Sequence, residues 1–268
     1  MKAINSLIAA VGLLMCASCK NAEEITYERH ANIYFNMTES QRDSVVYTFA
    51  YDMTKASDTI FLPVSIIGHR IPSLRHYAAY VELDSSSAEQ DTHFTALLDA
   101  YPLAAKAGKD SLPIVVHNLT DLENRSVSMI VKLQANSDFD VENPRLIRAK
   151  IVLSARLEQP LWWSMWLGSY SRIKHQLFLL VTEQRTLTME GLDAPKNLYY
   201  VNLLNMMLND PFKWVADNPA KGYLLKTSDN GANYSFYHQE NPNRALTLRR
   251  NTSAAKYYFI DEDGREVR

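Results

Sequence analysis

Closely spaced glycines are missing from this sequence. Its 8 glycines stand at positions 12, 68, 108, 168, 191, 222, 231 and 264, and the nearest pair is nine residues apart. That spacing excludes the G-x-G-x-x-G turn of dinucleotide-binding folds, the G-x-x-x-x-G-K phosphate loop and the G-x-S-x-G nucleophile elbow. Each of those motifs needs residues without a Cβ at short intervals, so that backbone can approach a phosphate or hold a strained turn. An excess of basic charge is lacking too. With 28 basic and 30 acidic residues the net charge is −2, which supplies no footprint for nucleic acid. The 2 cysteines, Cys16 and Cys19, lie together near the start and exclude a disulfide framework. The histidines, at 30, 69, 76, 93, 117, 175 and 238, form no i, i+4 pair, so there is no H-E-x-x-H zinc helix. Asp261-Glu262-Asp263-Gly264 begins like a calcium loop and fails at Arg265, which makes it a turn. No cofactor and no metal are expected.

What is present is 268 residues, 47% of them apolar, enough for one large domain or two modest ones. Met1-Lys2, the apolar run Leu7 to Met15 and the small residues Ala17-Ser18 before Cys19 have the shape of a secretory signal. That run is too short to cross a bilayer as a helix. Ala17-Ser18-Cys19 resembles a bacterial lipobox, in which the Cys thiol takes a diacylglycerol and becomes the mature N-terminus. The resemblance implies that Cys19 is a lipid attachment site. Cys16 stands where the lipobox usually carries Leu. The following Lys20-Asn21-Ala22-Glu23-Glu24 resembles the surface-export signal of Bacteroidota lipoproteins, and equally suits a solvated tether.

From about residue 30 to 155 the apolar residues follow strand spacing. In Val45 to Tyr51 every odd position is large and apolar, and Ile33 to Asn36, Thr59 to Ile67, Tyr77 to Leu83, Leu112 to His117, Ser126 to Leu133 and Ile147 to Ser154 read alike. Seven short strands predict an immunoglobulin-like β-sandwich. Pro63 and Pro113 lie inside such runs and cannot donate to a ladder, which places their strands at sheet edges or bulges. The order Ala88 to Phe94, Ala107 to Leu112 and Asp121 to Asn124 resembles Calx-β and immunoglobulin-like modules. Some of those hold calcium in acidic loops; Asp91, Asp121 and Glu123 supply at most part of such a set.

The pattern changes at Leu157 to Gly168, where Trp162, Trp163 and Trp166 gather. Ile173, Leu177, Leu180 and Val181 predict a helix over about 171–184. Asp193-Ala194-Pro195 starts a second, with Val201, Leu204 and Leu208 on one face until Asp210-Pro211. The runs Tyr234 to Tyr237 and Tyr257 to Ile260 read as short strands between loops. The expected organisation is a signal over 1–18, a tether over 19–30, a β-sandwich over 31–156 and a mixed domain of two or three helices over 157–268.

Trp162-Trp163 followed by Leu167-Gly168-Ser169-Tyr170-Ser171-Arg172-Ile173-Lys174-His175-Gln176 resembles the central segment of a Bacteroidota outer-membrane lipoprotein family of unknown function. Together with the lipobox and the sandwich, the likeness covers nearly the whole mature chain. It implies an accessory lipoprotein beside starch-utilisation-type uptake systems, with outer-membrane transporter subunits as partners and a glycan or peptide as ligand, at the outer membrane, on the cell surface with the periplasmic face as the alternative. It supplies no catalytic residues, so a non-catalytic role is expected. The alternatives are a hydrolase of extracellular polymers, which would need converging carboxylates or a Ser/His pair, and a structural or adhesive surface module. The ligand-binding candidates are Trp162, Trp163, Trp166 and Tyr170, because aromatic faces stack on sugars; the same cluster also suits a packed domain joint. Asp43-Ser44-Val45, Asp58-Thr59-Ile60 and Asp110-Ser111-Leu112 resemble the Bacteroidota O-glycosylation triplet.

Overall fold

The computed structural model describes residues 29–227 and 229–268, so Cys19 and the segments assigned to signal and tether up to residue 28 lie outside the described residues. The first half is a sandwich of two sheets. One holds β1 (Asn32–Phe35), β3 (Ser57–Ile67) and β6 (Lys109–His117) in the order β1-β3-β6. The other holds β2 (Val45–Thr48), β4 (Arg75–Val81), β5 (Tyr101–Leu103), β7 (Val127–Gln134) and β8 (Arg148–Ser154) in the order β2-β8-β7-β4-β5. Only the β2–β8 pair among these is parallel.

Period-two spacing builds the core between them. Ile60, Leu62 and Val64 point in from β3, Leu112, Ile114 and Val116 from β6, Met129, Val131 and Leu133 from β7, and Ile151 and Leu153 from β8. The intervening Phe61 stays 64% exposed. Each large side chain buried in this way contributes about 1.5–3 kcal/mol. The result is an immunoglobulin-like sandwich, as the strand pattern predicts.

Three details differ from expectation. Strand β5 escapes the periodicity because it has three residues and Pro102 at its middle. The helix α1 (Glu39–Asp43) is held by a capping box, in which Thr38 and Gln41 bond each other's backbone N–H. Pro113 does lie on an edge strand, but Pro63 sits in the central strand of its sheet. It is tolerated because its carbonyl accepts from Asn36 N at 2.8 Å, so its backbone faces β1 just beyond the last pair, Phe35 with Val64. The absent N–H therefore breaks no rung of the ladder.

After Ser154 the chain forms α2 (Trp163–Trp166), α3 (Arg172–Thr182), α4 (Ala194–Asn209) and α5 (Pro211–Asp217), then an antiparallel meander of β9 (Tyr223–Thr227), β10 (Asn233–His238), β11 (Asn241–Asn251) and β12 (Lys256–Phe259). Four α-helical segments thus replace the expected two or three, two of them being short. Ser171 caps α3 by accepting from Lys174 N at 3.2 Å, and Glu183 ends it in the left-handed conformation, φ 55°. Asp193 makes no cap bond, since it closes a 3-10 turn; Pro195 in the first turn starts α4. Asp210 caps α5 through Lys213 N at 2.9 Å. Helices and meander share a second core, in which Trp163, Leu177, Phe178, Leu204 and Met207 meet Tyr223, Phe236, Leu248 and Phe259.

Candidate functional site

The tryptophans point into this second core. Trp162 is 6% exposed and Trp163 is fully buried. The Trp163 ring lies 5.1 Å from Tyr170 and 4.9 Å from His175, and Trp162 lies 5.4 Å from Phe178. This corrects the expectation that Trp162 and Trp163 bind ligand: their apolar faces are consumed by packing, and a ring without exposed surface has nothing to stack on. Trp166 is half-buried with its indole N–H donating to the Thr188 carbonyl at 3.0 Å. Tyr170, also half-buried, donates its hydroxyl to the Leu157 carbonyl at 3.0 Å, tying α3 back to the end of the sandwich. Of the four candidates, Tyr170 lines a cavity.

That cavity, about 520 Å³, lies where the start of α3 meets the turn after β12. A second pocket, about 240 Å³, lies between the loop after β2, the outer side of α3 and the start of β9. Its wall includes Tyr51, Met53, Gln176, Leu180, Lys221 and Tyr223. The chain leaves the sheet after Thr48, and Phe49 still turns inward, whereas Tyr51 emerges 45% exposed with the Arg185 guanidinium 4.7 Å from its ring centre. Asp52 holds the loop shape by accepting from Thr54 N at 3.0 Å and Thr54 Oγ1 at 2.6 Å. From β11, Asn241 Nδ2 donates to the carbonyls of Met53 at 3.1 Å and Lys55 at 3.0 Å. The loop is thereby fixed from both sides. At the rim Lys221 pairs with Glu183, and deeper in the wall Gln176 donates to Glu123 at 3.1 Å while its Oε1 has no partner.

Of the rings that the sequence singles out, Trp162 and Trp163 are spent on packing, whereas Tyr170 lines the larger cavity. Tyr51 was hidden in an alternating run that marks it as inward-facing. The signal that could have found it is Asp52 followed two residues later by Thr54, a turn-forming pair that ends the strand.

Titratable groups elsewhere in the fold are paired with one another. His93, 1% exposed, accepts from Glu89 N at Nδ1 (3.0 Å) and meets Asp121 through Nε2 at 3.1 Å, so both nitrogens are committed and neither can take a substrate proton. Every carboxyl group with a resolved shift, Asp58, Glu82, Asp121, Glu183, Asp229 and Glu266, is moved down. Bonds from neighbouring cations, and at Asp229 from Asn233, favour the charged form, the opposite of what a general acid needs. Of the calcium candidates Asp91, Asp121 and Glu123, Asp121 is neutralised by Arg125 at 2.7 Å and Glu123 by Arg172 at 3.2 Å with Arg244. Among the described residues no group of three or more His, Cys, Asp or Glu side chains converges as metal ligands would.

Residues 27–184 match the family described as a domain of unknown function, DUF4843. The chain belongs to DUF4843. The matched segment runs through the whole sandwich, the tryptophan cluster and α3, so the helix that lines both cavities is part of the DUF4843 unit. No curated protein matches the chain. Among solved structures, CBD12 from CALX1.2 is similar at 14% identity and TM-score 0.34, over 46% of this chain and 43% of that one. A candidate carbohydrate-binding protein from Bacteroides ovatus ATCC 8483 is similar at 13% identity and TM-score 0.34, over 47% and 38%. A Bacteroides ovatus protein of unknown function is similar at 10% identity and TM-score 0.32, over 88% and 73%. The chain thus spans less than half the length of the first two.

Proposed function

We propose that this DUF4843 protein is a non-catalytic cell-envelope lipoprotein, held at the outer membrane through Cys19, that serves as an accessory binding subunit of a glycan or peptide uptake system. The observation that carries the binding role is the pocket beside Tyr51. It joins the partly exposed ring of Tyr51, on the loop that Asn241 fixes, to the Gln176 amide and the Lys221–Glu183 ion pair across the pocket. Such a mixture of planar apolar surface and a few placed polar groups is what oriented binding of a sugar or peptide requires.

Two measurements test the reading. Fractionation of cells carrying Cys19→Ala should move the protein from membrane to soluble fractions; retention equal to the parent refutes the anchor. Calorimetric titration of the parent with a panel of neutral oligosaccharides and short peptides should find a ligand of micromolar to millimolar affinity. Hydrolysis of any of them by the purified protein would replace binding with catalysis.

A further inference from the structure

The larger cavity has a feature that the Tyr51 pocket lacks, a buried cation without an anion. Lys174, on the first turn of α3, is 9% exposed and lines the cavity together with Leu167, Tyr170, Ser171, Asp261 and Arg265. Its ammonium donates to the Leu167 carbonyl at 2.7 Å, one bond for a group with three donors. No carboxylate of the described residues pairs with it, and burial alone pulls its pKa below that of an ordinary lysine. The acids in the same wall are already taken. Asp261 accepts from the backbone N–H of Asp263 at 2.9 Å and Arg265 at 2.8 Å, and from the Arg265 side chain at 3.3 Å. Glu266 accepts from Asn251 at 2.7 Å and Arg268 at 2.8 Å.

The helix N-terminus beside the cavity offers no competing anion site. Glu262 fills it, accepting from Arg172 N at 2.6 Å and Ile173 N at 3.3 Å, while Ser171 takes Lys174 N. Arg265 and Arg268 pair with Asp261, Asp263 and Glu266, so Lys174 is the cation of this wall without a carboxylate partner among the described residues. A desolvated ammonium that faces a cavity is a poor structural element and a good receptor, because an entering anion recovers the pairing that the fold leaves out. One unpaired charge matches a monoanion, and Tyr170 beside it supplies apolar surface for the body that carries that anion.

We propose that this cavity binds a small carboxylate-bearing ligand, the carboxylate on Lys174 Nζ and the rest of the molecule against Tyr170. The carboxylate of a uronic sugar and that of a peptide C-terminus share this chemistry. The site is separate from the Tyr51 pocket and stands whether or not that pocket binds a neutral ligand.

The test is calorimetric titration of the full chain with D-glucuronate and with N-acetyl-dialanine, against D-glucose, N-acetyl-dialanine amide and inorganic phosphate. One of the two carboxylates should bind at least tenfold more tightly than its neutral analogue and than phosphate, and which one it is distinguishes sugar from peptide. Lys174→Met should lose at least tenfold of that affinity while melting at the same or a higher temperature. Should that variant not fold, Lys174→Gln, which keeps a donor for the Leu167 carbonyl, replaces it. The proposal is overturned if neither carboxylate binds, if neutral analogues or phosphate bind as well, or if the lysine variant binds like the parent. Tyr51→Ala should leave carboxylate binding unchanged; if it abolishes that binding, the ligand sits in the other pocket and this assignment fails.

Discussion

The guanidinium of Arg244 on β11 is paired with the carboxylate of Glu123, 121 residues earlier in the chain; Arg244 is buried and Glu123 partly so, where the sandwich meets the helices and meander. Glu123 also receives Arg172 at 3.2 Å and Gln176 at 3.1 Å from α3, while Arg244 reaches Asn118 of the sandwich. One carboxylate thus collects two guanidinium groups from two different elements. Such a joint fixes orientation more than it adds stability, since desolvation offsets most of the attraction.

The joint predicts an asymmetry between its members. Glu123→Gln strands two largely buried arginines and should cost about 3–5 kcal/mol. Arg244→Met should cost less, because Glu123 keeps Arg172 and the new side chain fills similar space. Urea denaturation of both variants measures the difference, and a larger loss for Arg244→Met would refute the account.

His175 makes folding stability depend on pH. Burial among Trp162, Trp163 and Tyr170 lowers its pKa from 6.5 to about 4, so the folded protein keeps it neutral while the unfolded chain protonates it below about 6.5. The unfolded state then binds more protons between these values. Stability should fall as pH drops from about 6.5 to about 4 and level off below, a loss of about 3 kcal/mol from this group. His175→Phe removes the titration, and its denaturation midpoint should lose that part of the pH slope; an unchanged slope would point to other groups.

Gly222 occupies a position that tolerates no side chain. It has φ +68°, and an added Cβ would come within 2.7 Å of His238 Nε2. Gly222→Ala should destabilise by about 1–3 kcal/mol from backbone strain and crowding together. Thermal melting checks this, with His238→Ala expected to relieve part of the loss in the double variant.

The strands of the sandwich were legible because their core faces are filled by Val, Ile, Leu and Phe at alternate positions, and α3 and α4 because their apolar residues keep helical intervals. The meander was harder. In β11 the inward row is Asn241, Arg244, Leu246 and Leu248, with a charged residue facing in and polar neighbours around it, so the alternation is masked by the very residue that forms the ion-pair joint. Both cavities were invisible for a related reason. Each is assembled from segments far apart in sequence, and Lys174 reads as the off-stripe, solvent-facing residue of an amphipathic helix until the turn after β12 is seen to cover it.

The last prediction separates rings that hold the fold from rings that face a ligand. Trp163 is fully buried against Tyr170 and His175, whereas Tyr51 is 45% exposed beside the junction pocket. Trp163→Ala should cost about 3–5 kcal/mol and lower the melting temperature by many degrees, because it opens a cavity in the second core. Tyr51→Ala removes a ring that is nearly half solvated and its contact with Arg185, so stability should change by about 1 kcal/mol or less. A sugar stacked on that ring gains about 1 kcal/mol, and its loss should weaken oligosaccharide binding about fivefold. Melting curves and titrations of both variants decide the matter. If Tyr51→Ala destabilises the protein as much as Trp163→Ala, Tyr51 is a packing residue and the junction pocket loses its aromatic platform. If Tyr51→Ala leaves both stability and oligosaccharide affinity unchanged, the ligand of this protein does not stack there.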